Sequence, residues 1–144
     1  MSDDIKKKVC DIAESWIGTP YKYGVKVKGK GVDCARFILS VYQEAGLIPV
    51  GFHPPHQHKD WVLGKNVNRN AFSDEILKYG EKVEYDDRQA GDVASFLYNG
   101  IESHLGIIVE DDFIIHAKTG EGVKKQKFTL YKNVCGIYRL KEGI

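Results

Sequence analysis

Two periodicities divide the chain. Over residues 3–17 the apolar positions Ile5, Val9, Ile12, Ala13, Trp16 and Ile17 fall on one helical face, which predicts an amphipathic helix. Ser2, Asp3 and Asp4 suit its start, where unpaired N–H groups and the positive dipole end favour oxygen acceptors and negative charge. Gly18 and Pro20 end it. A second helix is predicted from about Cys34 to Ala45, with Phe37, Ile38, Val41 and Tyr42 in register, Asp33 as N-cap and Gly46 as C-cap. "RNAFSDEILKYG", residues 69–80, predicts a shorter third helix with Phe72, Ile76 and Tyr79 aligned and Gly80 ending it.

From about Val83 the period shortens to that of strands. "KVEY", "DVASFLY", "HLGIIVE", "FIIHA", "GVKKQKFTL" and "CGIYRL" are separated by turn residues. Helices first and strands after predict an α+β domain, with helices on one face of a curled antiparallel sheet of about five to six strands. Two irregular stretches remain. "GTPYKYGVKVKGKG" between the first two helices reads as a glycine- and tyrosine-rich loop, and residues 47–67, with three prolines, as a long ordered one. We treat 1–144 as one domain with a loop insertion at about 47–68.

Composition changes this picture little. With 42% hydrophobic and 28% charged residues the chain is an ordinary globular one, and a net charge of +1 gives no overall pull toward nucleic acid or anionic membrane. A basic run (Lys22, Lys26, Lys28, Lys30) and an acidic one (Glu81, Glu84, Asp86, Asp87) read as solvated surface. The first sixteen residues carry charge throughout, so neither a signal peptide nor a membrane span is expected there, and the product is expected in the cytoplasm when synthesised.

Cys10, Cys34 and Cys135 form no CxxC pair, which argues against a zinc knuckle or disulfide framework. Cys10 and Cys135 read as small buried hydrophobes. Cys34 is different, because it opens a helix. Backbone N–H groups and the dipole there favour a thiolate, and the same N–H groups suit an oxyanion. A buried structural thiol is the alternative.

A nucleophilic cysteine needs a base. In "HLGIIVEDDFIIHA" a three-residue loop at 110–112 sets Val109 opposite Phe113 and Gly106 opposite His116. His104 then lies diagonal to His116 on the same side, roughly 7–8 Å away at the backbone. A two-residue loop would put the rings on opposite sides. The favourable register suits a relay in which Cys34 attacks, His104 moves the proton and His116 orients His104. Gly106 is expected to leave room for a packing helix.

"WIGTPYKYG", "GVDCARFILSVYQEAG", "GDVASFLYNGIESHLGIIVEDDFIIHA" and the closing "CGIYRL" together resemble the NlpC-type cell-wall peptidases, a papain-like family of bacterial and phage cysteine hydrolases. The resemblance implies Cys34 as nucleophile, His104 as general base and acid, and His116 as the third polar residue. It also implies Tyr21 beside the thiol and Asp33 at a substrate amino group; Tyr23 and Arg36 complete the expected substrate-binding set. It implies no cofactor and no metal, and as substrate the peptidoglycan stem peptide, cut between a γ-D-glutamyl residue and the diamino acid at position three.

Ala35-Arg36 stands where the family has Ser-Gly, and Val25 follows Gly24 where it has a second glycine. These departures and the insertion resemble the phage and prophage tail branch, with other tail proteins as possible partners. A non-catalytic tail component of the same fold, or a papain-like amidase or esterase on another substrate, are the competing readings. His53, His56 and His58, near Asp60, read as exposed loop, with a metal site or substrate rim as alternatives; Phe52 and Trp61 would wall the cleft or anchor the loop.

Overall fold

The structure is a computed structural model that describes residues 1–49, 76–98 and 100–142. Most of the predicted 47–67 loop, most of the predicted third helix, and the residues Phe52, His53, His56, His58, Asp60 and Trp61 lie outside the described residues.

Helix α1 spans Asp3–Ser15; Ser2 caps it by accepting a hydrogen bond from the Ile5 N–H, as the Ser-Asp-Asp start predicts. A small hairpin, β1 (Lys26–Val27) and β2 (Gly31–Val32), forms inside the stretch read as loop. Two-residue strands carry too little alternation to be seen in a sequence. Helix α2 spans Cys34–Glu44 and ends where Gly46 turns with φ +82°, a conformation that a glycine adopts without strain.

The remaining strands are β3 (Gly80–Val83), β4 (Val93–Tyr98), β5 (Ile101–Val109), β6 (Phe113–Lys118), β7 (Gly122–Lys127) and β8 (Val134–Leu140). They form one antiparallel sheet in the order β3-β8-β4-β5-β6-β7. The α+β architecture is as expected. β3 starts at Gly80, the residue read as a helix end; a Cβ there would collide with the Arg139 carbonyl, so glycine permits the close approach of β8. "GVKKQKFTL" is a strand only to Lys127, after which a single turn, Phe128–Leu130, folds back toward the sheet.

Strand alternation splits the core in two. Val93, Leu105, Ile107, Ile115 and Tyr138 join Val9, Ala13, Phe37 and Val41 of the helices in the larger cluster. Their strand neighbours Ala94, Phe96, Ile108, Ile114 and Ile137 point the other way and gather under Phe128, with Tyr131 and Val134 packed against them. The basic and acidic runs are exposed, as expected.

Two bulges interrupt the middle of the sheet. Phe96 pairs with His104 while Leu97 pairs with Glu102, so Ser103 has no partner on β4. Ser95 pairs with Gly136 and Phe96 with Val134, which leaves Cys135 unpaired on the other side. Cys135 is therefore half-buried rather than the buried filler expected. A bulge bends a strand and frees backbone groups, and the one at Ser103 sits beside the site described next.

Candidate active site

Asp33 fixes the start of α2. Its Oδ1 accepts from the Arg36 N–H at 2.9 Å, the predicted N-cap. Its Oδ2 accepts from Arg36 Nη1 at 2.7 Å and from the Gly24 N–H at 2.8 Å, which ties the tyrosine loop to the helix. The carboxylate is fully enclosed, so Arg36 supplies the opposite charge that a buried carboxylate needs. Asp33 thus presents no exposed atom to a substrate amine here, while the Arg36 guanidinium lies over the exposed Tyr23 ring, 5.7 Å from its centroid.

Cys34 is buried, with its thiol donating to the Ser103 carbonyl freed by the β5 bulge at 3.8 Å. Backbone N–H groups of Leu105, Ala35 and Cys34 itself face the sulfur and favour the thiolate, as the helix start predicts. Burial and the neighbouring Asp33 charge outweigh them and push the thiol up to about 12. The helix start thus favours the thiolate as expected, and burial, which the sequence does not show, opposes it. Tyr21 pairs with Val32 just before the nucleophile, and burial, with Cys34 close by, raises its phenol.

The thiol meets β5 at residues 103 and 105, on either side of His104. The 110–112 turn has the predicted length, with Val109 opposite Phe113 and Ile107 opposite Ile115, which sets Gly106 opposite His116. Asp111 and Asp112 adopt positive φ in that turn, which aspartate tolerates better than most residues. The two rings meet, His104 Nε2 lying 2.8 Å from His116 Nδ1. Gly106 makes room for different neighbours than expected. A Cβ there would lie 2.5 Å from Ile114 Cδ1 and 3.1 Å from His116 Cβ, so it accommodates the adjacent strand and not a helix.

The histidines pack among aromatic rings. His104 lies 5.6 Å from Phe96 and 6.1 Å from the exposed Tyr98 between centroids, and His116 lies 5.4 Å from Tyr131. His116 has no solvent-exposed surface, and burial lowers its pKa to about 4, leaving it neutral near pH 7. Its far nitrogen, Nε2, lies 2.8 Å from Gln126 Oε1, and the Tyr131 hydroxyl donates to the same oxygen.

Gln126 and Tyr131 were not among the residues picked from the sequence. The signal for Gln126 was present: "FIIHAKTGEGVKKQK" is a second hairpin in which His116 pairs with Lys124, so Gln126 is diagonal to His116 on the same side. Tyr131 reaches the site through the Phe128–Leu130 turn, which no local pattern announces.

A family model described as NlpC/P60 family matches residues 18–138. The chain belongs to the NlpC/P60 family. It is 25% identical over 120 residues to the Murein DD-endopeptidase MepS/Murein LD-carboxypeptidase of Escherichia coli K12, which covers 83% of this chain and 53% of that protein. A probable endopeptidase of Haemophilus influenzae Rd is 30% identical over 112 residues, 75% of this chain and 56% of the relative. Among solved structures, NlpC2 from Trichomonas vaginalis superposes with a TM-score of 0.73 at 18% identity, covering 97% of this chain and 48% of that one. The chain thus spans about half the length of the curated relatives it matches.

Proposed function

We propose that this domain is a cysteine peptidase that hydrolyses stem peptides of peptidoglycan, with Cys34 as nucleophile, His104 as general base and acid, and His116 as its orienting partner. The single observation that carries this reading is the 2.8 Å bond between the two histidines, held on the strand whose backbone receives the Cys34 thiol. Family membership and the murein endopeptidase named among the relatives supply the substrate class.

With His104 Nε2 engaged by His116, proton transfer falls to its Nδ1. His104 removes the thiol proton as the sulfur attacks the scissile carbonyl, and N–H groups at the start of α2 stabilise the oxyanion. The amine leaves with the proton from His104, giving a Cys34 thioester. Water, deprotonated by His104, then releases the acid. Because burial holds the thiol neutral, base and attack act together rather than through a standing ion pair.

The resemblance implies the γ-D-glutamyl to diamino-acid bond, whereas the Escherichia coli relative is named for DD-endopeptidase and LD-carboxypeptidase activities. Substrates for the test therefore include tri- and tetrapeptides and cross-linked dimers, with and without sugar, followed by mass spectrometry. Cleavage by the wild type and not by Cys34→Ala is expected, at the γ-D-glutamyl bond. Cleavage of none of them would overturn the peptidase reading. That outcome would favour a non-catalytic binding module, the reading to which the raised thiol pKa lends support. Association with a phage tail rests on Ala35-Arg36 and on an insertion outside the described residues, and the chemistry proposed here does not depend on it.

A further inference from the structure

We propose that Gln126 is a positioning residue that sets the direction of the protons along the histidine pair, and that it is itself oriented by Tyr131. This inference rests on His104 being the base of the proposed peptidase, and goes beyond it by assigning what selects the ring tautomers.

Two imidazoles sharing one hydrogen bond can do so in two directions. Either His104 Nε2–H donates to His116 Nδ1, or His116 Nδ1–H donates to His104 Nε2. Only the first leaves His104 Nδ1 without a proton and able to act as base. The pair alone does not choose between them; the bond at the other end of His116 does.

That end is an ordered chain. The Tyr131 hydroxyl lies within reach of it, with the Lys118 ammonium 6.0 Å from the Tyr131 ring centroid and paired with Glu121 at 3.2 Å. That hydroxyl has one proton to donate. Two acceptors are in range, His116 Nε2 at 3.4 Å and Gln126 Oε1 at a markedly shorter separation, so the amide oxygen takes it. With Oε1 facing both partners, His116 must carry its proton on Nε2 to bond Gln126 at 2.8 Å. A neutral imidazole protonated on Nε2 is bare on Nδ1, and His116 is held neutral by burial, with Lys118 and Lys124 adding to that effect and Glu121 opposing it. His116 Nδ1 therefore accepts from His104, and His104 Nδ1 carries a lone pair instead of a proton. An amide turned the other way would reverse every bond and leave His104 with a proton where a lone pair is required.

The full chain labelled with 15N-histidine gives the readout, since long-range 1H–15N correlations separate a protonated from a bare ring nitrogen. In the wild type at pH 7 both rings are expected protonated on Nε2 and bare on Nδ1. Gln126→Leu removes the acceptor and should give mixed tautomers and a kcat lower by roughly 10–100-fold with KM little changed. Gln126→Glu keeps the acceptor and should keep the wild-type tautomers and most of the rate. A wild type with the His116 proton on Nδ1, or tautomers unchanged in Gln126→Leu, would overturn the proposal. The two levels separate cleanly. Expected tautomers without cleavage of any stem peptide would defeat the peptidase reading alone, and cleavage with reversed tautomers would defeat this one alone.

Discussion

The nucleophile and the base are built in opposite ways. Cys34 is held mainly by adjacent residues: Asp33 caps the helix, Arg36 neutralises Asp33, and the first N–H groups face the sulfur, with Ser103 and Leu105 of β5 completing its surroundings. The base side is assembled from three strands and a turn, with His104 on β5, His116 on β6, Gln126 on β7 and Tyr131 beyond it. The local side leaves its reactive group inert, because burial costs the thiolate more than the helix start returns. The non-local side is where reactivity must come from. A site divided this way keeps its thiol protonated until substrate and base are both in place.

The comparison can be broken most severely at the sulfur. Cys34→Ala is expected to remove stem-peptide cleavage altogether, a loss on the order of 10^4-fold or more, with an unchanged circular dichroism spectrum. Alkylating Cys10 or Cys135 should leave turnover unaffected. On the other side, His104→Ala is expected to lower kcat on the order of 10^3- to 10^4-fold, because nothing else in the described site replaces the base. Product chromatography under single turnover would measure both losses.

Protonation of His116 tests the non-local side through stability. Its pKa is about 4 in the fold against 6.5 for a free ring, so below 6.5 the unfolded chain gains a proton that the native one refuses. Its contribution is fully present above pH 6.5, falls as pH drops toward 4, and amounts to about 3 kcal/mol across that window. His116→Gln should flatten that part of the pH dependence in denaturant titrations. The smallest effect is expected on the local side, where Asp33→Asn keeps a capping oxygen but leaves Arg36 without its counter-ion. A stability loss of about 1–2 kcal/mol by thermal melting fits that change.

The same division explains what was legible in the chain. Helix α2 and its cap could be read because Asp33, the i, i+4 pattern and Gly46 lie within fourteen residues. The His104–His116 juxtaposition could be read because a hairpin register follows from loop length and parity. Gln126 obeys the same rule one hairpin further on. The bulges at Ser103 and Cys135, which fall on either side of Phe96 in the registers of the central strand, carry no sequence mark. The N–H groups that favour the Cys34 thiolate follow from the helix start, whereas the depth of burial that opposes them has no mark in the sequence.

The most direct test is the rate at which iodoacetamide modifies Cys34, followed by peptide mapping from pH 5 to 10 in the wild type and in His104→Ala. A thiol held up near 12 by burial reacts at neutral pH only if a base takes its proton. The account predicts modification of wild-type Cys34 near pH 7 and its loss in His104→Ala, with reactivity in the variant returning only at the alkaline end. Equal rates in the two proteins at every pH would contradict it, because the histidine pair would then have no hold on the sulfur.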